Sequence, residues 1–249
     1  MSSERFSTLP WDTEHFGVSV GRIDCASLGP DELAKAFDAC KARGIACVYC
    51  LLPADEQGAV RVLEACRARF VDVRMTLDRS LEGVRLEAPA TTRAAIVEGD
   101  LEPIRALAGT SHRDSRFYAD PRFSRERCDE LYRIWIDKSV RDERAMVVTE
   151  GAVGDPAGYV SCHVDGQTGT IGLVSVRPDR RGHGVGARLI SGALSWFASA
   201  GVTRISVVTQ ARNVAAQRLY QAAGFRTRSV ALWFHLWLDE MPEPLVRSS

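Results

Sequence analysis

The spacing of apolar and polar positions divides the second half of the chain into a clear series of elements. "TTRAAIVEGD" predicts a short strand that leads into a helix from Leu101 to Ala108. "RFSRERCDELYRIWIDKSVRDE" has amphipathic helical spacing, with Leu131, Ile134, Trp135 and Val140 along one face. "AMVVTEG", "AGYVSCHVDG" and "TGTIGLVSVRP" predict three strands parted by Gly/Asp turns. A glycine loop follows Pro178, and then a helix through "ARLISGALSWFASAG" that stops at Gly201. "RISVVTQ" predicts another strand, Asn213 caps a helix "VAAQRLYQAAGF", and the apolar strand "SVALWFHLWL" comes last. Strands followed by a strand–helix–strand crossover give an α/β fold with a mixed sheet.

The first ninety residues run a similar course to the last fifty. "DELAKAFDACKARG", "IACVYCLLP", "ADEQGAVRVLEACRARF" and "VDVRMTLDRSL" give helix, glycine stop, buried strand, helix, aromatic and strand. "ALSWFASAG", "VTRISVVTQ", "ARNVAAQRLYQAAGF" and "RTRSVALWFHL" give the same order. The interval from Gly44 to Phe70 differs by two residues from that between Gly201 and Phe225. This pattern predicts an internal repeat of half a domain; two unrelated units of similar length are the alternative. Before its first helix the early copy has only Leu28, Gly29 and Pro30, with no glycine loop, so it is expected to be a structural extension.

Composition narrows the classes of function. The 249 residues suit one large or two small domains, and 45% hydrophobic residues suffice for a core. Lys+Arg and Asp+Glu stand at 32 each, so no overall field favours nucleic acid or an anionic membrane. No apolar run reaches membrane-spanning length, and "MSSERFSTLPWDTEHF" lacks the pattern of a signal peptide, so the cytoplasm is expected. Seven cysteines, an odd number, fit a reducing compartment better than a disulfide framework. Cys47 and Cys50 form a CxxC, but on the strand "IACVYCLLP" residues three apart face opposite sides, so the two thiols share no metal. No metal is expected.

The stretch "VRPDRRGHGVGARLI" carries the candidate chemistry. A strand ends at Pro178, and a helix whose first amides lack intrahelical partners begins a few residues later; those N–H groups and the helix dipole attract an anion. Gly182, Gly184 and Gly186 let backbone approach a ligand closely, and Arg180 and Arg181 add charge at the rim. The alternating glycines match neither the dinucleotide GxGxxG pattern nor the P-loop.

R-x-x-G-x-G at Arg181, Gly184 and Gly186 follows a strand and opens a helix, and a strand, Asn213, Tyr220 and "AAGF" follow in order. In these motifs, over about residues 91 to 238, the chain resembles the GCN5-related N-acetyltransferase (GNAT) family. The resemblance implies a mixed, mostly antiparallel sheet and acetyl-CoA as co-substrate. It implies that the strand at Gly172–Val176 splays from Arg204–Gln210, with pantetheine in the gap against the backbone of Leu173, Val174 and Val176. The pyrophosphate would lie on Arg181, Gly182, His183, Gly184, Val185, Gly186 and Ala187, and Asn213 would reach the pantetheine arm. Tyr220 would protonate the departing thiolate, which its ordinary pKa near 10 permits; a core aromatic is the alternative. For the base, His163, Asp165, Glu150, His112 and Asp114 all remain open.

"LPWDTEHFGVSVGRID" and "DSRFYADPRFSRERCDELYRIWIDKS" resemble the dTDP-fucosamine acetyltransferase subgroup, which N-acetylates a dTDP-linked 4-amino-4,6-dideoxygalactose for surface polysaccharide. That implies an acceptor site at Arg113, Arg116, Phe117, Tyr118 and Arg122, where charge and aromatic surface suit a diphosphate and a ring; a solvated arginine-rich loop is the alternative. The rivals are acetylation of another small amine (an aminoglycoside, polyamine or peptide) and acyl-CoA binding without turnover. Neither a nucleic acid nor a membrane is expected as partner, and the last apolar strand would serve either a homodimer or internal core. The expected domains are a partial GNAT-like half-domain over 1–88, a catalytic domain over 89–240 and a tail over 241–249.

Overall fold

A computed structural model describes residues 6–242 except 85, 95 and 98. The first five residues and residues 243–249, the greater part of the expected tail, lie outside the described residues. In chain order the elements are β1 (Ser7–Thr8), α1 (Pro10–Phe16), β2 (Val20–Asp24), α2 (Pro30–Ala42), β3 (Cys47–Pro53), α3 (Gln57–Ala65) and β4 (Arg69–Ser80). There follow β5 (Thr92–Arg93), α4 (Leu101–Ser111), α5 (Arg116–Ala119), α6 (Arg125–Arg141), β6 (Ala145–Ala152), β7 (Asp155–Asp165) and β8 (Thr168–Val176). The last are α7 (Val185–Ser199), β9 (Arg204–Gln210), α8 (Val214–Ala222) and β10 (Arg226–Trp237).

The contacts divide the chain into two compact units. One holds Met1–Arg74, Ser115–Arg127 and Val230–Ser249; the other holds Met75–Asp114 and Cys128–Ser229. Contact density thus divides the chain at other points than the repeat and motifs, which drew boundaries at 88 and 240. Segment 115–127 and the end of β10 group with the early residues.

In the first unit the strand order is β1-β2-β3-β10-β4. β3 lies parallel to β2 and antiparallel to β10, where Cys47 faces Trp237 and Pro53 faces Ala231. Alternation then gives each strand two faces. Val48, Cys50, Leu52, Leu232, Phe234 and Leu236 turn to one side, where Leu33 and Phe37 of α2 and Leu63 of α3 cover them. Burying each such side chain contributes about 1.5–3 kcal/mol. Tyr49 turns to the other side, among Phe117, Phe123 and His235. The apolar end of β10 is therefore core of this unit. Cys50 packs with Cys25 on the helix-covered side, and both its thiol's hydrogen bond to Cys25 and burial push that thiol up. Cys47, its thiol pushed up by burial and then by the charge of Asp120, lies on the other, and all seven thiols are free.

In the second unit the order is β4-β9-β8-β7-β6-β5. β5 to β8 pair antiparallel and β8 pairs parallel with β9, the mixed, mostly antiparallel sheet expected. Leu189, Ile190, Ala193 and Phe197 of α7 pack with Val148, Val160, Ile171 and Val207 of the strands. The expected face of α6 needs correction. The buried residues are Cys128, Leu131, Tyr132, Ile136 and Ser139, whereas Ile134, Trp135 and Val140 are half-buried. Simple apolar spacing overlooked a buried serine and the partial exposure of the largest side chain.

β3-α3-β4 and β9-α8-β10 each run seven, nine and twelve residues. β4 begins in the first unit and ends in the second, and β10 does the reverse. The starts of α2 and α7 differ as their sequences suggest. α2 has Asp31 and Glu32 in its first turn, and the Gly29 amide donates to Glu32 at 3.2 Å; α7 has no acid there. A carboxylate at the helix start repels a second anion.

Candidate active site

β8 and β9 pair only from Thr168–Ile171 against Arg204–Val207. Beyond that point the residues through Val176 and Gln210 are unpaired with each other, so a gap opens. The Arg177 amide donates to the Ala157 carbonyl, and backbone groups alternate sides along a strand. The N–H and C=O groups of Val174 and Val176 therefore turn away from β7, toward the gap. Leu173 differs from its expected role. Its amide donates to Ser161 Oγ at 2.8 Å, inside a bulge where Gly172 and Leu173 stand against Ser161 alone.

At the mouth of the gap, Pro178–Arg180 form a single 3-10 turn and the chain enters α7. The amides of Gly182, His183, Gly184, Val185, Gly186 and Ala187 have no acceptor among the described residues. Gly184 caps α7 with φ +77°, a left-handed conformation that suits glycine. Arg181 Nε donates to the Val176 carbonyl at 3.2 Å, and His183 Nδ1 lies 2.9 Å from the Arg181 carbonyl. Arg188 ties the loop down: its guanidinium donates to the His183 carbonyl at 3.0 Å and to Glu150 Oε1 at 2.6 Å.

Asn213 caps α8, its side chain accepting from the Ala216 amide at 3.0 Å. Two turns on, Tyr220 is buried and meets Phe225 edge to face. Burial pushes its phenol well above the ordinary range, so the hydroxyl keeps its proton at neutral pH.

A cavity of about 280 Å³ opens at the bulge, lined by Trp135, Lys138 and Ser139 of α6, by Asp142 just after it, and by Ser161, His163, Gly172 and Leu173. Any side chain at position 172 would collide here, since a Cβ would stand 2.7 Å from Ser161 Oγ and 3.0 Å from His163 Nε2. His163 Nε2 lies 3.2 Å from Ser139 Oγ, whose hydroxyl also reaches the Trp135 carbonyl at 3.0 Å. Burial lowers the pKa of His163 and Asp142 partly offsets this. A lone glycine in a strand is a signal for a bulge or a close approach; Ser139 and Lys138 gave no such signal.

The other candidate bases have other surroundings. Glu150 is buried and bound to Arg188, while Asp165 and Asp114 are exposed. His112 stacks on Tyr132 and reaches the Tyr159 hydroxyl at 3.2 Å; burial holds its pKa down at about 4.

The segment expected to hold the acceptor is largely engaged inside the first unit. The Arg116 guanidinium lies over the rings of Tyr49, Phe117 and Trp233 at 4.0, 4.0 and 4.4 Å and donates to His235 Nε2 at 2.7 Å. That bond fixes the tautomer. Nδ1 carries the proton and donates to Asp120 Oδ2 at 2.8 Å, which also accepts from Trp237 Nε1 at 2.9 Å. Arg122 stacks on Trp237 and pairs with Asp239 and Glu240. Phe117 and Tyr118 are buried, and Arg113 is exposed. The guanidiniums of Arg116 and Arg122 thus meet rings and carboxylates of their own unit. The "WDTEHF" motif adds α1, whose Phe16 packs on Phe117 and Phe123. Sequence reading missed this buried cluster; a lone histidine within "ALWFHLWL" was its one trace.

A splayed strand pair, a bulge beside it and bare amides after it make up the candidate site. Residues 110–225 match the acetyltransferase (GNAT) family, and the chain is an acetyltransferase. It is 27% identical over 234 residues to the dTDP-fucosamine acetyltransferase of Escherichia coli O6:H1, covering 91% of this chain and 96% of that one. It is 24% identical to the spore coat polysaccharide biosynthesis protein SpsD of Bacillus subtilis, over 76% of this chain and 66% of that protein. The fold is shared with a GCN5-related N-acetyltransferase from Sphaerobacter thermophilus, at TM-score 0.64 and 18% identity over 95% of this chain and 76% of that one. Among the described residues no helix is long and apolar enough to cross a membrane, and no cluster of His, Cys, Asp or Glu could hold a metal.

Proposed function

We propose that this acetyltransferase moves the acetyl group of acetyl-CoA to the amino group of a nucleotide-linked amino-dideoxy sugar, in the service of surface polysaccharide synthesis. One observation carries the cofactor half: six unpartnered amides, Gly182 to Ala187, stand at the mouth of the gap between β8 and β9. Pyrophosphate oxygens would accept from them, with Arg181 at the rim, and the pantetheine amides would pair with the backbone of Val174 and the amide of Val176, whose carbonyl already accepts from Arg181. The Leu173 amide, held by Ser161, would instead set the shape of the bulge. Asn213 would keep α8 in register through its cap. Tyr220 would hand its proton to the leaving thiolate, because a phenol kept neutral by burial is a donor throughout the working range.

The acceptor half draws on the relatives named for dTDP-fucosamine and for spore coat polysaccharide. The cavity at the bulge would take the amino sugar, with Trp135 offering a ring face to the pyranose. Arg113, exposed, is proposed as a contact for the diphosphate, whereas Phe117, Tyr118, Arg116 and Arg122 would hold the segment in shape. Residues 1–88 are proposed as a degenerate half-copy without a cofactor loop and 89–240 as the catalytic copy. The equal lengths of the two strand–helix–strand units support that reading. A thiol-release assay with acetyl-CoA against dTDP- and UDP-amino sugars, aminoglycosides and polyamines tests it. Turnover confined to the last two groups rejects the sugar nucleotide.

A further inference from the structure

Five groups are chemically able to take the proton that an ammonium must lose before its nitrogen can attack. Glu150 is held by Arg188, and His112 is held between Tyr132 and the Tyr159 hydroxyl. Asp114 and Asp165 are exposed. Of the five, His163 lines the cavity at the bulge, and its Nε2 lies 3.0 Å from where a Cβ on Gly172 would stand. The missing side chain at 172 is what leaves the imidazole open to the place where Leu173 and the strand edge face the cavity. Resting on the acetyl-transfer reading above, we propose that His163 is the general base of the reaction and that Ser139 is its positioning residue.

Ser139 carries one hydroxyl proton and two partners, His163 Nε2 at 3.2 Å and the Trp135 carbonyl at 3.0 Å. With Nε2 unprotonated, the hydroxyl donates to the ring. Once Nε2 has taken a proton, the ring donates to Ser139 Oγ and the hydroxyl turns to the carbonyl. Both protonation states are thus satisfied by one rotation, without movement of the ring. The chemistry balances. His163 takes a proton from the acceptor ammonium, the freed nitrogen forms the C–N bond, and the C–S bond breaks with its electron pair leaving on sulfur. Tyr220 protonates that thiolate and is itself reprotonated by the second proton, released from the new amide nitrogen. The proton on His163 passes to solvent, so each turnover yields acetamide, thiol and one proton.

The charged groups lining the cavity with the ring are Lys138 of α6 and Asp142 just after it; Ala145 on β6 and Thr170 on β8 stand opposite it in the sheet. Asp142 favours the protonated ring, and burial, the larger effect, disfavours it. His163 is therefore free to accept at neutral pH.

The test uses the full chain. Rates of thiol release with the acceptor found by the panel are measured across pH, beside a nitrogen-15 NMR titration of His163 made with no acceptor present. kcat/KM should fall on the acid side with a midpoint below 6.5, the ordinary histidine value. His163→Gln should lose roughly 10²- to 10⁴-fold in kcat/KM, and that acid limb with it. Ser139→Ala should lower kcat/KM less than His163→Gln does and move the limb, and the NMR midpoint, down by about one pH unit, the margin by which a hydrogen bond to the charged ring outweighs the one lost from the neutral ring. Asp165→Asn should leave both unchanged. A His163→Gln enzyme with the parent rate and limb overturns the assignment, as does a His163 midpoint at or above 6.5 or one that Ser139→Ala does not move. A panel in which no amine is acetylated defeats the acetyl-transfer reading instead, and the base falls with it.

Discussion

A single Cβ at residue 184 should weaken acetyl-CoA binding far more than its size suggests. Gly184 has φ +77°, and an added Cβ would lie 2.8 Å from Arg188 Nη1, the nitrogen that holds the His183 carbonyl at 3.0 Å. An alanine in the left-handed region costs about 1–2 kcal/mol. Displacing Arg188 forfeits a hydrogen bond worth about 1 kcal/mol, and the guanidinium cannot simply swing away because Glu150 Oε1 holds it at 2.6 Å. The sum is about 2–3 kcal/mol. An unliganded loop relieves that strain by moving, and binding must restore it, so the loss falls on affinity. At about 1.4 kcal/mol per tenfold, Gly184→Ala should raise the Kd for acetyl-CoA by roughly 30- to 150-fold. Gly201→Ala is the matched control. Gly201 has φ +75°, but nothing lies within 4 Å of the added Cβ, and it sits just past the other end of α7. It should lower the denaturation midpoint and leave the Kd alone. Isothermal calorimetry on both variants decides. Gly184→Ala binding within twofold of the parent, or Gly201→Ala binding equally weakened, would refute the loop as the pyrophosphate site.

Three further outcomes are expected. Tyr220→Phe should lower kcat by roughly 10²-fold or more while the acetyl-CoA Kd changes little; equal turnover in stopped assays removes the phenol from the mechanism. Asp120→Ala would leave His235 Nδ1 and Trp237 Nε1 without their acceptor in a buried site, so urea unfolding should show about 3 kcal/mol or more of destabilisation. Stability should also decline in mild acid. Burial, only partly opposed by Asp120, holds His235 at about 4, and burial holds His112 at about 4, whereas both take protons near 6.5 once unfolded. The unfolded chain then binds more protons between those values, so stability is complete above about pH 6.5 and drains away toward pH 4. Asp120 adds to the loss further down: burial raises its pKa, but bonds from His235 and Trp237 hold it below the usual range. A flat unfolding midpoint from pH 7 to pH 4 would contradict this account.

What could be read without coordinates was local. The turn from β8 into α7 depends on a proline, three glycines and an absent first-turn acid, and each acts through its own backbone or its immediate neighbours. The splay of β8 from β9 had to be borrowed from a family resemblance, since nothing in "GTIGLVSV" states where its pairing with another strand ends. Gly172 interrupts an apolar strand, but the reason, the approach of Ser161 and His163, lies in residues on a neighbouring strand. Arg116 shows the limit most plainly. An arginine beside aromatic residues reads equally as a phosphate contact and as a buried cation, and only the convergence of Tyr49, Trp233 and His235 from distant strands chooses the second.

By itself, then, the sequence determined the order and kind of the elements in its second half and the glycine loop, because strand alternation, helix spacing and turn chemistry are written in consecutive residues. The tertiary structure alone decided which arginines are sequestered, which histidine faces a cavity and where the units divide. Those outcomes turn on desolvation and on partners brought from far along the chain, and neither is a property of any short stretch.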